Sequence, residues 1–257
     1  MAVIVAAKEI EVVYPGSTEG HVLDGVSFAA GKGEKIALIG ANGAGKSTLL
    51  LALVGILPLH SGEITLNNIT LDGTKHDRKK LAAVRRAAGL LFQNPDDQLF
   101  MSTVWEDVLF GPLNYLAEEK ADIKAKPTAD AAAKRKAIED ESLRTLDELG
   151  IRALKDKMPH KLSGGEKRLA ALAAVLVMKP EILLMDEPSA FLDPRAQRRL
   201  TGILKSLPQT LLLATHDFSL ARELCPRSLV ISHGHIRADG STEEILSNAK
   251  LLDECGL

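Results

Sequence analysis

Gly40-Ala41-Asn42-Gly43-Ala44-Gly45-Lys46-Ser47 stands between an apolar run, Ile36 to Ile39, and a helical pattern that begins near Lys46. It fits G-x-x-x-x-G-K-[ST] in the strand–loop–helix setting that this motif requires. Glycines let the backbone curl until successive N–H groups point into the loop. The helix that follows offers the positive end of its dipole to an anion. Lys46 is the one cationic side chain of the loop and is placed to reach the β- and γ-phosphates of a nucleotide, with the Ser47 hydroxyl on Mg²⁺. Thr48 adds a second hydroxyl toward the α-phosphate. A phosphate-binding loop over Gly40–Thr48, with ATP and Mg²⁺ as its ligands, is the first expectation.

The surroundings set the fold class. Glu63–Asp72 alternates apolar and polar residues on both sides of Asn67-Asn68, the pattern of a hairpin with a two-residue turn. Ile36–Ile39, Ile182–Met185 and Leu211–Ala214 are continuous apolar runs, as in parallel strands covered on both faces. Leu50, Leu53, Val54 and Leu57 fall at helical spacing, as do Leu169, Leu172, Ala173 and Leu176. Strands alternating with helices predict an α/β fold with a mostly parallel sheet. Residues 117–142 are rich in Ala, Lys, Glu and Asp. They read as a loop to Pro127 followed by a solvated helix from about Asp130 to Leu149, stopped by Gly150.

Composition excludes several classes. The 257 residues are 46% hydrophobic, too apolar for a disordered chain. A net charge of −2 leaves no electrostatic footprint for nucleic acid or anionic lipid. Two cysteines, Cys225 and Cys255, make no disulfide scaffold or zinc pattern. The first residues show no secretory signal. The longest apolar runs, Leu49–Leu59 and Leu169–Met178, fall short of the ~18–20 residues needed to span a bilayer. The chain is expected in the cytosol, reaching a membrane only through a partner.

A second cluster of chemistry follows a buried strand. Asp186 and Glu187 end the run that begins at Ile182. A parallel sheet delivers such residues to its ligand crevice. Asp186 is assigned to Mg²⁺ and Glu187 to orienting and deprotonating the attacking water. His233-Gly234-His235 reads as a turn between two strands rather than a metal site, since no third ligand is nearby in sequence. No base is visible for either cysteine.

Leu162-Ser163-Gly164-Gly165-Glu166 precedes an amphipathic helix over Lys167–Met178. Ser163 and Glu166 have the spacing of a capping box. The same residues resemble the signature of ATP-binding cassette (ABC) ATPases, Leu-Ser-Gly-Gly-Gln, with Glu166 in the last place. The resemblance covers Val3 to about Leu257. It implies a P-loop NTPase core of the RecA type, an N-terminal antiparallel β subdomain and an α-helical subdomain. One nucleotide-binding domain would fill 1–257, with sub-lobes 1–93 plus 180–240, 94–179, and a tail at 241–257.

What the resemblance implies for the site goes residue by residue. Tyr14 would stack on adenine. Gln93 would touch Mg²⁺ and the attacking water, joining Ser47 and Asp186 as metal ligands. Ser163, Gly164, Gly165 and Glu166 would contact the γ-phosphate held by an opposite subunit. Ser189 to Asp193 would pass between paired subunits, with Phe191 where glycine is commoner. His216 would touch the γ-phosphate and, with Glu187 and Gln93, complete the catalytic set.

Phe92–Phe100, Glu106–Val108, Gly111–Asn114 and Gly240–Leu246 resemble the ATPases of energy-coupling-factor importers, above all those of cobalt or nickel importers. That resemblance implies transmembrane subunits, a substrate-binding membrane component and a second copy or paralogue as partners, at the cytoplasmic face of the cell membrane. Vitamin importers share these segments. An ATP-gated clamp on nucleic acid is the rival from another class. It calls for a long coiled coil or a basic face, and the sequence has neither. A two-cassette translation protein would need a second phosphate-binding loop. A soluble kinase would not need Ser163–Glu166.

Overall fold

The computed structural model describes residues 2–14, 20–73, 78–120 and 129–257, with side chains at 116–120 and 129–131 left aside. Pro127 and most of the expected loop before it lie outside the described residues. The strands are β1 (Val3–Val12), β2 (Leu23–Gly31), β3 (Lys35–Ile39), β4 (Ser61–Leu66), β5 (Ile69–Asp72), β6 (Ala88–Leu91), β7 (Ile182–Asp186), β8 (Thr210–Thr215), β9 (Arg227–Ser232) and β10 (His235–Ser241). The α-helices are α1 (Lys46–Leu53), α2 (Arg78–Ala87), α3 (Val104–Lys120), α4 (Ala129–Glu148), α5 (Gly164–Leu176), α6 (Pro194–Ser206), α7 (Phe218–Leu224), α8 (Thr242–Ser247) and α9 (Ala249–Glu254).

Two sheets form. One is antiparallel in order β2-β1-β4-β5, and its β4–β5 hairpin turns at Asn67 and Asn68 with φ of 45° and 65°. Both values are left-handed, as a two-residue turn of this hand requires. The other sheet runs β10-β9-β3-β8-β7-β6, with β3 parallel to β8 and β9, and β7 parallel to β8. Ile36, Leu38, Leu184, Leu212 and Leu229 have no exposed surface. Each such side chain contributes roughly 1.5–3 kcal/mol by leaving water, which is why these strands read as unbroken apolar runs.

The chain divides into two compact units, one of Met1–Leu90, Pro180–Ser189 and Leu204–Leu257, the other of Leu91–Lys179 and Ala190–Ile203. The boundaries differ from the expected ones in three places. Residues 91–93, Gln93 among them, lie in the helical unit and not in the first. Residues 190–203 join the helical unit. There Arg199 donates to the carbonyls of Leu149 and Gly150, at 2.7 and 3.0 Å. The tail joins the first unit, because Ile245 and Cys255 pack with Val230.

Local stops also explain the helices. α1 ends at Leu53 instead of reaching Leu57. Gly55 takes φ +63°, and Leu57 packs on the core from outside the helix. α3 continues to Lys120, where a loop is expected from Ala117. α4 closes at Gly150, whose φ is +62° and whose N–H bonds the Asp147 carbonyl.

Candidate functional site

The parallel strands bring the sequence motifs together. In register, Ile39 of β3 lies beside Thr215 of β8, and Asp186 of β7 lies beside Ala214. The loop after β3, the acids ending β7 and the histidine after β8 therefore open on one edge of the sheet. Strands of an open parallel sheet present their carboxyl ends to ligands in this way.

Two glycines of the loop have no substitute. A Cβ at Gly40 would stand 2.5 Å from the Ile231 carbonyl oxygen. Gly45 has φ +107°, and its Cβ would meet Leu23 at 2.8 Å. Helix α1 starts at once after Gly45, with no acidic residue in its first turn to compete for an anion. Lys46 is buried. Its ammonium donates to the carbonyls of Gly40 (2.7 Å) and Ala41 (3.1 Å). Burial lowers its pKa, and the carboxylates of Glu187 and Asp186 oppose that shift. Ala41, Asn42, Gly43 and Ala44 complete the loop, and Ser47 is exposed beside it. The buried Thr48 hydroxyl lies 3.1 Å from the Tyr14 hydroxyl, so Tyr14 is held over the start of α1 with part of its ring in solvent.

Glu187 is the centre of the site. It is buried, and its φ of 43° is left-handed, a conformation that costs a non-glycine residue about 1 kcal/mol or more. Its own N–H bonds the Ala214 carbonyl at 2.9 Å, which ties that backbone to β8. One carboxylate oxygen, Oε1, is 3.8 Å from the Lys46 ammonium and 2.9 Å from His216 Nδ1. The other, Oε2, accepts the His216 N–H at 3.4 Å. Cation, carboxylate and imidazole thus form one chain of contacts. Asp186 is buried at the end of β7. Asp186 and Ser47 offer the hard oxygen donors that Mg²⁺ selects, so the donor chemistry fits that ion.

Gln93 and the Ser163–Glu166 segment belong to the helical unit. Ser163 Oγ accepts from the Glu166 N–H (3.3 Å), and Glu166 accepts the Ser163 N–H (2.8 Å), so the capping box is complete. That bond from the Ser163 N–H holds the Glu166 carboxyl below its usual range. Ser163, Gly165, Glu166, Asp193 and Ala196 line a cleft at the start of α5. Asp193 accepts from the N–H groups of Arg195 and Ala196, so it caps α6. Ser189 lies in the first unit. Phe191 takes φ +61° and is 95% exposed. Its left-handed backbone accounts for glycine being the cheaper residue here.

One residue of this unit escaped the sequence reading. Arg168, 1% exposed, donates to the carbonyls of Phe92 and Gln93, both at 2.6 Å. Gln98 and Lys167 add bonds to the Ala171 carbonyl (3.1 Å) and the Asp96 carboxylate (2.6 Å). The segment after Gln93 is therefore fastened to α5. A charged residue beside an apolar helical stripe was the available signal. Arg168→Met should leave both carbonyls without this donor. That costs on the order of 2 kcal/mol, the lost bonds being partly offset by the relief of a buried charge. A lower denaturant midpoint with reduced ATPase is expected; unchanged values in both would remove the role.

His233 and Gly234 form the expected turn between β9 and β10, with φ of 48° and 77°. Both cysteines are buried, and burial pushes the Cys225 thiol up to about 12, far from a reactive thiolate.

The profile of the ABC transporter family matches residues 23–190. A putative ABC transporter ATP-binding protein of Geobacter sulfurreducens is 42% identical, over 99% of this chain and 93% of its own length. The energy-coupling factor transporter ATP-binding protein EcfA of Methanosphaera stadtmanae is 38% identical, over 100% of this chain and 86% of its own. Among solved structures, CbiO1 of Clostridium perfringens, part of the ABC transporter complex CbiONQ, superposes with a TM-score of 0.77 at 33% identity, over 99% of this chain and 94% of its own. The fold is thus that of a P-loop ATPase cassette. With the phosphate-binding loop, the strand-end acids and the capped Ser-Gly-Gly-Glu helix all present, the chain belongs to the ABC transporter family and is an ATP-hydrolysing subunit of such a transporter.

Proposed function

We propose that this ATPase powers an energy-coupling-factor importer whose solute is Co²⁺ or Ni²⁺. The observation that carries the catalytic part is the Lys46–Glu187–His216 contact chain at the phosphate-binding loop. The loop N–H groups and Lys46 hold the phosphates, and Tyr14 takes the adenine. Glu187 removes a proton from a water whose oxygen attacks the γ-phosphorus. The bond to the β–γ bridging oxygen breaks, and ADP leaves with that oxygen. His216 positions Glu187 and contacts the γ-phosphate. Ser47, Asp186 and Gln93 are the residues that would hold Mg²⁺, which supplies charge neutralisation on the phosphates.

Two copies, or one copy and a paralogue, sandwich two ATP molecules head to tail. The loop at Gly40–Thr48 of one subunit then faces Ser163–Glu166 of the other, with the Ser189–Asp193 segments between them. The positive start of α5 suits a second anion contact. Transmembrane subunits and a substrate-binding membrane component complete the importer at the cytoplasmic face. Among the described residues no helix is long and apolar enough to cross a membrane, so the chain needs such partners to act there. The likeness to EcfA and to CbiO1 supports this branch.

Deletion of the gene should abolish accumulation of radiolabelled Co²⁺ or Ni²⁺. Exchange of Asp96 and Asp97 for Ala should weaken uptake more than basal ATPase, since Asp96 ties the segment after Gln93 to α5. If the deletion strain accumulates both metals but loses a vitamin, the metal branch is wrong and the ATPase reading stands. Pull-down from solubilised membranes should bring down integral membrane subunits.

A further inference from the structure

Strand β1 lies between β2 and β4 in its sheet, and this order gathers three ligand-type side chains that are far apart in sequence. Glu11 of β1 pairs with Ser61, and its carbonyl accepts the His60 N–H at 2.8 Å. On the other side the Val22 N–H bonds the Val12 carbonyl at 2.8 Å, which sets His21 beside Glu11. The Glu11 Oε2 to His21 Nε2 distance is 3.8 Å, and the rings of His21 and His60 are 5.3 Å apart at 47°. One ligand atom from each of the three lies within 4.8 Å of the others.

We propose that Glu11, His21 and His60 bind one divalent transition cation of the Zn²⁺, Ni²⁺ or Co²⁺ class. Two imidazoles and one carboxylate are a recurrent three-ligand set for such ions, with solvent in the fourth position. Mg²⁺ and Ca²⁺ select oxygen ligands instead. Metal bonds of about 2.0–2.1 Å draw tetrahedral ligands to roughly 3.4 Å from one another. Both imidazoles are exposed and Glu11 is half-buried, so their side chains can close the remaining gap, at most about 1.4 Å, by rotation while the paired backbone stays in place. As an exposed ion pair alone, His21 and Glu11 would contribute little to the fold.

The site has a consequence for the nucleotide end. Glu11, near the end of β1, stands three residues before Tyr14 in the chain. A cation held by Glu11 therefore steadies the stretch that leads into Tyr14. This consequence rests on the proposed adenine contact of Tyr14; the cation site itself does not.

The test is calorimetric titration of Zn²⁺ alone into the nucleotide-free protein, with Co²⁺ absorption as an independent readout of the ligand field. One equivalent should bind, and Co²⁺ should show the visible bands of a four- or five-coordinate site. Loss of outer-shell partners alone costs such sites about 10–100-fold, so His60→Ala or His21→Ala should weaken binding by roughly 100-fold. Glu11→Gln keeps the shape and should weaken it too. Absence of stoichiometric binding, or equal binding by the parent and the His21→Ala/His60→Ala double variant, overturns the site. One equivalent of Zn²⁺, with Mg²⁺ in excess, should tighten ATP binding by about fivefold in the parent alone. A cation that binds without changing ATP affinity overturns the coupling to Tyr14 and leaves the site.

Discussion

Glu187→Gln is expected to leave ATP affinity intact and to slow turnover by about 10²–10⁴-fold, the usual contribution of a positioned base. The amide keeps the size and hydrogen-bonding reach of the carboxylate. It removes the negative charge that lies 2.9 Å from His216 and 3.8 Å from the Lys46 ammonium. Proton removal from the attacking water then has no acceptor, while the loop and Lys46 still hold the phosphates. Removing a carboxylate from beside the phosphates also takes away a repulsion, so binding should not fall. The variant should collect as an ATP-bound dimer in gel filtration with ATP and Mg²⁺. His216→Ala should slow turnover less, because it removes a contact to Glu187 and not the base itself. A monomeric Glu187→Gln protein with normal single-turnover hydrolysis would sink the assignment of the base.

The site residues nearest to one another in the fold were legible because they sit in contiguous motifs at strand ends. An unbroken apolar run followed by Gly40–Lys46, or by Asp186-Glu187, carries both the strand and the chemistry in one stretch. Ser163 and Glu166 were legible for a similar reason: the cap and the helix start are local. What stayed hidden depends on contacts between distant segments. Nothing near Glu187 in sequence announces its left-handed backbone, which is fixed by its bond to Ala214. Arg168 looks like any charged residue until α5 meets the carbonyls of Phe92 and Gln93. Glu11, His21 and His60 become neighbours only through the β2-β1-β4 order. The early stop of α1 lies in Gly55, whose left-handed backbone breaks a helical spacing of apolar residues that continues to Leu57. The placement of residues 190–203 likewise follows from Arg199, whose partners lie about fifty positions earlier.

Lys46→Ala should lower binding and chemistry together, where Glu187→Gln lowers chemistry alone. Lys46 is 6% exposed, and burial already pulls its pKa down. An ammonium kept charged in such a place gains much from an anion brought against it, because the local dielectric is low. Its charge-assisted contact with the phosphates is worth about 1.5–3 kcal/mol, which is roughly 10–150-fold in affinity. Both ATP binding and kcat/KM should fall by at least that factor, since the same charge acts on the ground state and on the developing charge of the transition state. Lys46→Arg should not restore them. The planar guanidinium is wider than an ammonium and must fit beside the carbonyls of Gly40 and Ala41, where the lysine now donates at 2.7 and 3.1 Å. Titration calorimetry on the two variants beside Glu187→Gln decides the matter. Parental affinity in Lys46→Ala would mean that the loop binds phosphate through its backbone alone, and the Lys46–Glu187 contact would then be structural.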